Sequence, residues 1–279
     1  MDTVIRKLLN EEKIEYAGII PFKECKVINQ PLLDRSWQGK EPRSVIMISV
    51  PYFSGEYPER NVSLYAIARD YHLYFKELYE RMIPKLSEEF PGFYFRGFSD
   101  NSPIGEIGAA AKAGLGIIGD KFQLINEKYG AYTFIGEILT DKDFDCYDLQ
   151  EIKLCDHCGA CSRACPVKDG CLSGMTQKKG EIDSDTAYLI RKTGIVWGCD
   201  ICRTACPMNK KAAITPISFF LKNLMPQISV SDIRTMSKKE FGERAYSWRG
   251  RKTILRNLSI YESVSEIGAI PQKDDNNSL

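Results

Sequence analysis

The chain has 279 residues, 43% of them hydrophobic and 27% charged, with a formal net charge of +1. That length accommodates one large domain or two modest ones around a sizeable core. The near-neutral charge excludes a globally basic protein, so a polyanionic partner needs a local basic patch, and no apolar run approaches the roughly 18 residues of a membrane span.

Residues 3–14 place Val4, Ile5, Leu8 and Leu9 on one helical face, and Tyr16–Pro21 reads as a short apolar strand. Ser44–Tyr52 is rich in β-branched residues, the mark of a buried strand. From Ser63 to about Met82 a helix is expected, with Leu64, Ile67, Tyr71, Tyr74 and Leu78 at helical intervals. His72 on that helix reads as a packed or hydrogen-bonded side chain. Corrinoid methyltransfer modules carry Asp-x-His-x-x-Gly with the histidine on cobalt, and here Phe75 replaces the glycine.

A strand over Phe93–Phe98 leads into Ser99-Asp100. Asp100 can start a turn or cap a helix beginning at Ile104. It can also be an acid at a strand end that faces a cavity and donates a proton. A free aspartic acid has a pKa of about 3.9, so the second role calls for burial or nearby negative charge to raise it. Ile104–Ala113 reads as an alanine-rich helix stopped by Gly114. Gly114, Gly116 and Gly119 then follow a helix rather than a strand, so a dinucleotide fingerprint lacks its context. They suit a helix C-cap and tight turn, or a close backbone approach to a flat or charged ligand. Gly130–Leu139 reads as another strand. Helices and strands mix without regular βαβ alternation, which argues for an α+β fold.

Eight of the ten cysteines lie between Cys155 and Cys206. Cys155-x2-Cys158-x2-Cys161-x3-Cys165-Pro166 has the spacing that gives three thiolates to one 4Fe–4S cluster and the fourth to a second. Cluster A then takes Cys155, Cys158, Cys161 and Cys206. Cluster B takes Cys165, Cys199 and Cys202, with Cys171 as the nearby thiol that completes it. Structural zinc shows paired Cys-x2–4-Cys or Cys/His sets instead, and disulfides suit small secreted domains. No leader is visible at the N-terminus, so a cytoplasmic protein is expected. Cys25 and Cys146 fall outside the pattern and read as small hydrophobes. His157, inside the first run, reads as a loop residue close to cluster A.

Oxidised clusters with their thiolates make the loaded protein net negative, so any basic patch stands out. One runs from Lys238 through Lys239, Arg244, Arg249, Arg251 and Lys252 to Arg256, against the acids Glu240 and Glu243. Such a run is a solvated helix face or, with Trp248 among the bases, a nucleic-acid contact. A loose tail is expected from Pro271.

A set of ordered segments carries a family resemblance. These are Arg69-Asp70-Tyr71-His72, Asp100–Pro103 with Glu106, Lys112-Ala113-Gly114-Leu115-Gly116-x-x-Gly119, Tyr129-Gly130, Phe134–Thr140, the eight cysteines, and Leu255-Arg256-Asn257. From about Ser44 to about Leu258 the chain resembles the epoxyqueuosine reductase family, enzymes dependent on cobalamin and iron–sulfur clusters that finish queuosine in tRNA. The resemblance implies a nitroreductase-like cobalamin-binding domain over 1–150 and a ferredoxin-like double 4Fe–4S domain over 151–212. A C-terminal helical segment with the basic patch then covers 213–279. It implies base-off cobalamin without a histidine on cobalt, in a pocket formed by Gly114, Leu115, Gly116, Ile118, Gly119, Tyr129, Gly130 and Phe134. Asp100 falls at the family's proton donor.

The implied activity is two-electron removal of the epoxide oxygen of epoxyqueuosine in tRNA, by a monomer fed by an external low-potential electron donor. The anticodon loop would meet Lys238, Lys239, Arg249, Arg251, Lys252 and Arg256. The chain departs from the family at Asn101-Ser102, at Asp120-Lys121-Phe122 in place of Lys-Asn-Thr, and at Met208 in place of Trp. It also stops at Leu279, short of the helical-repeat tail common in the family. The alternatives are a related reductase acting on a small molecule, a corrinoid-activating electron-transfer protein, and a ferredoxin-type redox partner. The last would leave the residues before Cys155 without a purpose.

Overall fold

A computed structural model describes residues 1–37 and 39–263; the tail expected from Pro271 lies outside the described residues. The first half of the chain gives α1 (Thr3–Glu11), β1 (Tyr16–Pro21), α2 (Gln30–Trp37), β2 (Ser44–Pro51), α3 (Tyr71–Glu89), β3 (Phe95–Phe98), α4 (Glu106–Lys112), β4 (Ile117–Ile118), β5 (Leu124–Ile125) and β6 (Thr133–Thr140). Short helices follow: α5 (Ala160–Ala164), α6 (Leu172–Thr176), α7 (Ser184–Thr193), α8 (Ile201–Thr204), α9 (Val230–Thr235), α10 (Lys238–Gly242) and α11 (Arg251–Glu262).

β2 explains the sheet. Every residue from Ser44 to Pro51 is buried, so the strand reads as an unbroken apolar run. It pairs antiparallel with β1 on one side and β6 on the other, and β6 pairs antiparallel with β3. The order β1-β2-β6-β3 has no parallel neighbours. A mixed α and β architecture with an antiparallel sheet is what the irregular alternation of elements implies.

Helix starts follow capping chemistry more than periodicity. Asp2 caps α1 by accepting from Val4 N at 2.9 Å. Ile5, Leu8 and Leu9 are buried, but Val4 is only half-buried and the helix stops at Glu11. The helix expected from Ser63 begins only at Tyr71, because Asp70 caps it by accepting from His72 N at 3.0 Å. Leu64–Ala66 form a separate 3-10 turn. α4 starts at Glu106 with Gly105 in the cap position, so Asp100 is not its cap. The glycine-rich segment, read as a turn or a backbone approach to a ligand, carries β4, which pairs with β5 in a small hairpin.

Two compact units arise from this chain, and their boundaries interleave along the sequence. Unit 1 comprises residues 1–56, 68–165 and 200–224. Its core joins the sheet to α2 and α4 through Leu33, Trp37, Val45, Met47, Ile104 and the alanines Ala109, Ala110 and Ala111. α4 lies directly on β1: a Cβ built on Gly18 would sit 2.2 Å from the Ala113 carbonyl oxygen. Unit 2 comprises 57–67, 166–199 and the described residues from 225. There Trp197 packs edge-on against Tyr246, and its Nε1 donates to Tyr65 Oη at 2.9 Å. Asn257 on α11 donates to the carbonyls of Thr176 and Val196, at 2.7 and 2.8 Å.

Candidate functional site

Asp100 sits just past β3 in unit 1, with φ of +63°. That left-handed conformation is uncommon outside glycine, although aspartate tolerates it better than most residues. Two hydrogen bonds hold the turn: Asn101 N donates to Ser99 O at 2.7 Å, and Asp100 N donates to Glu106 Oε1 at 2.9 Å. The Asp100 carboxylate is exposed. Its Oδ2 accepts from Tyr71 Oη at 2.9 Å and lies 3.7 Å from His72 Nε2. His72 Nδ1 is 2.8 Å from Asp70 Oδ1.

His72 is therefore flanked by two carboxylates. Asp100 chiefly, then Asp70, push its pKa up from 6.5 to about 9. The same histidine holds Asp100 below the usual aspartate value. This corrects the expectation that a proton donor at Asp100 would have a raised pKa: its neighbour is a cation, not an anion. Near neutral pH the proton rests on His72, one short step from an ionised Asp100. Both ring nitrogens of His72 face carboxylates.

Behind this cluster lie two further acids. Glu137 on β6, opposite Phe98 of β3, is 0% exposed. Burial first, then the charge of Glu106, raises it well above the carboxylate range. Burial also pushes Glu106 up to about 7. Among the described residues no hydrogen bond of ordinary geometry reaches either oxygen of Glu137, and Ser102 and Glu106 are polar side chains that act on it. A pair so placed cannot carry two negative charges, and near neutral pH it keeps a proton.

Aromatic rings connect Asp100 to the expected cofactor residues. Tyr71 stacks on Phe134 at 4.3 Å and 16°. Phe134, half-buried, also meets Tyr52 at 4.4 Å and Phe220 at 5.6 Å. A flat apolar surface with an acid at its edge suits a flat macrocycle such as cobalamin.

The glycines do different work. A Cβ on Gly114 would meet Gln150 Nε2 at 2.6 Å, one on Gly116 would meet Ile125 O at 2.4 Å, and one on Gly119 would meet Ile125 Cδ1 at 2.8 Å. Each lets one chain segment close on another. Leu115 is buried in the core, and Ile118 is half-buried, with its N–H donated to Lys153 O at 2.9 Å. Tyr129 is buried. At Gly130 (φ +57°) the space a Cβ would need is filled by Asn209, whose Oδ1 accepts from Ala131 N at 2.7 Å.

Asn209 thereby ties the Cys206 segment to the Tyr129–Gly130 turn. Cys155, Cys158, Cys161 and Cys206, the four expected ligands of cluster A, line one cavity of about 110 Å³ with Gly119, Gln123 and Cys202. Among the described residues no two of the ten cysteines are joined in a disulfide. Converging thiols are the donor set a 4Fe–4S cluster requires, so the residues fit that group. At the rim His157 Nδ1 lies 2.6 Å from Asp120 Oδ1, so the departure from the family's lysine at this position supplies an acid for the loop histidine. Gln123 Nε2 points at Cys202 Sγ, 3.4 Å away. Cys165 follows α5 and Cys202 lies on α8, both in unit 1; Cys171 caps α6 and Cys199 precedes α8, both in unit 2. Cys25 packs against the core of unit 1, where burial pushes its thiol up to about 12, and Cys146 is exposed.

In unit 2 the basic run divides by role. Arg251 donates to the carbonyls of Ile233, Met236 and Ser237, closing the end of α9. Arg256 donates to the carbonyls of Lys178 and Gly180 and to Asn257 Oδ1. Lys238, Lys239 and Lys252 are exposed. Arg249 lies 3.8 Å over the ring of Trp248, which is itself 56% exposed.

Sequence reasoning gave no role to Glu106 or Glu137 and took His72 for a packed or hydrogen-bonded helical residue; it is hydrogen-bonded, to Asp70. Glu137 did leave a signal, as the one acid inside the apolar strand Thr133–Thr140. The pairing of His72 with Asp100 left none, because the fold brings them together.

Residues 35–101 match a family model described as "Epoxyqueuosine reductase QueG, DUF1730". The epoxyqueuosine reductase of Cellulophaga algicola is 32% identical over 217 residues, which cover 73% of this chain and 68% of that protein. The epoxyqueuosine reductase of Listeria monocytogenes is 29% identical over 248 residues, covering 79% of this chain and 64% of that protein. The chain thus spans about two thirds of the length of such relatives. A crystal structure of epoxyqueuosine reductase with a tRNA-Tyr epoxyqueuosine-modified stem loop superposes with a TM-score of 0.74. It is 20% identical and covers 93% of this chain and 81% of that one, a likeness of fold.

Proposed function

The chain belongs to the epoxyqueuosine reductase family, and on that premise we propose that it reduces the epoxide of epoxyqueuosine in tRNA to the alkene of queuosine. The observation that carries the proposal is the Asp70-Tyr71-His72-Asp100 cluster set against the Phe134 ring in the unit that also gathers four cluster thiols. Opening the epoxide and releasing its oxygen as water consumes two electrons and two protons. Base-off cobalamin, when bound, supplies a strong reductant for the epoxide carbon. This chain's residues do the rest.

Tyr71 and His72 orient the Asp100 carboxylate, and His72 holds the proton that Asp100 passes to the departing oxygen. Residues 1–150 form the cobalamin-binding, nitroreductase-like part. Gly114, Leu115, Gly116, Ile118, Gly119, Tyr129 and Gly130 shape its backbone wall and Phe134 its aromatic face. Residues 151–212 form the ferredoxin-like part. Cys155, Cys158, Cys161 and Cys206 hold cluster A; Cys165, Cys171, Cys199 and Cys202 hold cluster B on the strength of their spacing. An external low-potential donor supplies the electrons.

The tRNA anticodon loop is the partner on this reading, which the family structure with an epoxyqueuosine-modified tRNA stem loop supports. Lys238, Lys239, Lys252 and Arg249 meet phosphates, Trp248 offers a stacking face, and Arg251 and Arg256 add positive charge from within the fold. A tRNA substrate places the monomer in the cytoplasm. Among the described residues no helix is long and apolar enough to cross a membrane.

The test is anaerobic incubation of the cluster- and cobalamin-loaded chain with a reductant and epoxyqueuosine-containing tRNA, followed by nucleoside analysis. Queuosine should form, and Asp100→Ala should lower its rate at least a hundredfold, by about 3 kcal/mol in barrier, with cluster and cobalamin spectra unchanged. An unmodified nucleoside profile from fully loaded enzyme rejects the proposal. Normal turnover by Asp100→Ala removes Asp100 from the chemistry.

A further inference from the structure

We propose that Glu106 is the positioning residue for Asp100: its carboxylate takes the Asp100 backbone N–H and so fixes the left-handed turn that holds the Asp100 side chain against Tyr71 and His72. The turn needs such help. Asp100 is a non-glycine residue at φ +63°, a conformation that costs energy unless its surroundings impose it. Among the described residues its N–H has Glu106 Oε1 as acceptor, at 2.9 Å, and no backbone carbonyl. Beside the Asn101 N–H to Ser99 O bond within the turn, the Asp100 backbone is thus tied to a side chain of another element.

Glu106 is itself well anchored. It opens α4, whose buried alanines lie on β1 where Gly18 leaves room for the Ala113 carbonyl. At the far end of α4, Lys112 Nζ donates to Glu24 O at 2.7 Å. The titratable groups facing Glu106 are Glu137 on β6, Asp100 in the turn, and His72 on α3; Tyr79, also on α3, completes its buried surroundings and donates to Phe98 O at 2.5 Å. Pushed up to about 7 by burial first and then by the charge of Asp100, the Glu106 carboxyl keeps, protonated or ionised, an oxygen that can accept. The acidic pair thus reads as a strut under the reactive loop rather than as part of the reacting surface. The inference rests on the proposed function for what Asp100 does, but not for where Asp100 is held.

The test uses a convenience of the sequence, which has two histidines, His72 and His157. Ring titration of the cluster-loaded full chain by NMR, with His157→Gln for assignment, reports on His72 without any substrate or cobalamin. His72 should titrate near 9 in the native chain. It should fall toward its ordinary value in Asp100→Asn. Glu106→Ala should fall to the same level, because the released carboxylate leaves the histidine. Glu106→Gln, which keeps an acceptor for the Asp100 N–H, should stay close to the native titration. Where Glu106→Ala does not fold, Glu106→Asp, a methylene too short to reach, should behave as it does.

In turnover, Glu106→Ala should lower kcat about tenfold or more with KM for the tRNA within about twofold, and Glu106→Gln should recover most of the loss. An unchanged His72 titration in Glu106→Ala overturns the proposal, as does Glu106→Gln falling as far as Glu106→Ala. If no variant and no native chain converts epoxyqueuosine while His72 responds as described, the activity is wrong and the positioning role stands.

Discussion

Glu137 is the residue whose chemistry contrasts most with its surroundings, a carboxyl at 0% exposure inside a strand. Its folded pKa is raised, so above the ordinary value of 4.5 the chain must take up a proton to fold. Stability from this group is therefore full below about 4.5 and declines as pH rises toward the folded value, by up to about 1.4 kcal/mol per pH unit. Glu137→Gln, isosteric and neutral, should flatten that decline and leave the chain more stable than the parent at pH 8, as read by thermal unfolding across a pH series. Equal slopes in the two chains would show that the carboxyl is not held protonated. An acid in an apolar strand is visible in sequence, but its protonation is not: it depends on Glu106, which reaches it from α4. Asp100 is the same case. Its place after a strand was legible, whereas its ionised state is set by His72 on α3.

Elements built on contiguous apolar runs were legible, and those built on caps or very short pairings were less so. β1 has the expected bounds of Tyr16–Pro21, and β2 ends one residue before the expected Tyr52, because a sheet strand buried along its length writes its boundaries in side-chain type. α3 starts eight residues late against its apolar spacing, since the Asp70 side chain supplies the acceptor that a helix start needs. The β4–β5 hairpin has two residues per strand, too few for any period to show. The contact of α4 with β1 was also hidden, because only the fold reveals that Gly18 lies under a carbonyl. Gly18→Ala should overpack that contact and cost about 1–3 kcal/mol, measured as a lower Tm. Gly108, in the interior of α4, has nothing within 4 Å of its missing Cβ. Gly108→Ala should instead stabilise the chain by about 0.5–1 kcal/mol through helix propensity. A matching loss at both glycines would mean that α4 tolerates no added methyl, and that close packing at Gly18 is not the cause.

At the scale of the whole molecule, the cysteine runs stand out because each is local in sequence, while the interleaved units do not, because long-range contacts define them. Charge behaves similarly: a net +1 hides a basic run whose members do unlike work. Arg251 satisfies three carbonyls at the end of α9 and the turn after it, whereas Lys238, Lys239 and Lys252 extend into solvent. If attraction to the tRNA backbone is local, removing an exposed lysine should weaken stem-loop binding without touching the fold, and each lost phosphate contact should reduce the slope of log Kd against log salt by about 0.7–0.9. Lys238→Ala/Lys239→Ala and Lys252→Ala should therefore raise Kd several-fold at low salt with Tm unchanged. Arg251→Ala should lower Tm, by roughly 1–3 kcal/mol of stability for carbonyls left short of donors, and alter the salt slope little. A salt slope that falls in Arg251→Ala but not in the lysine variants would reverse this division and place the nucleic-acid contact on the arginine.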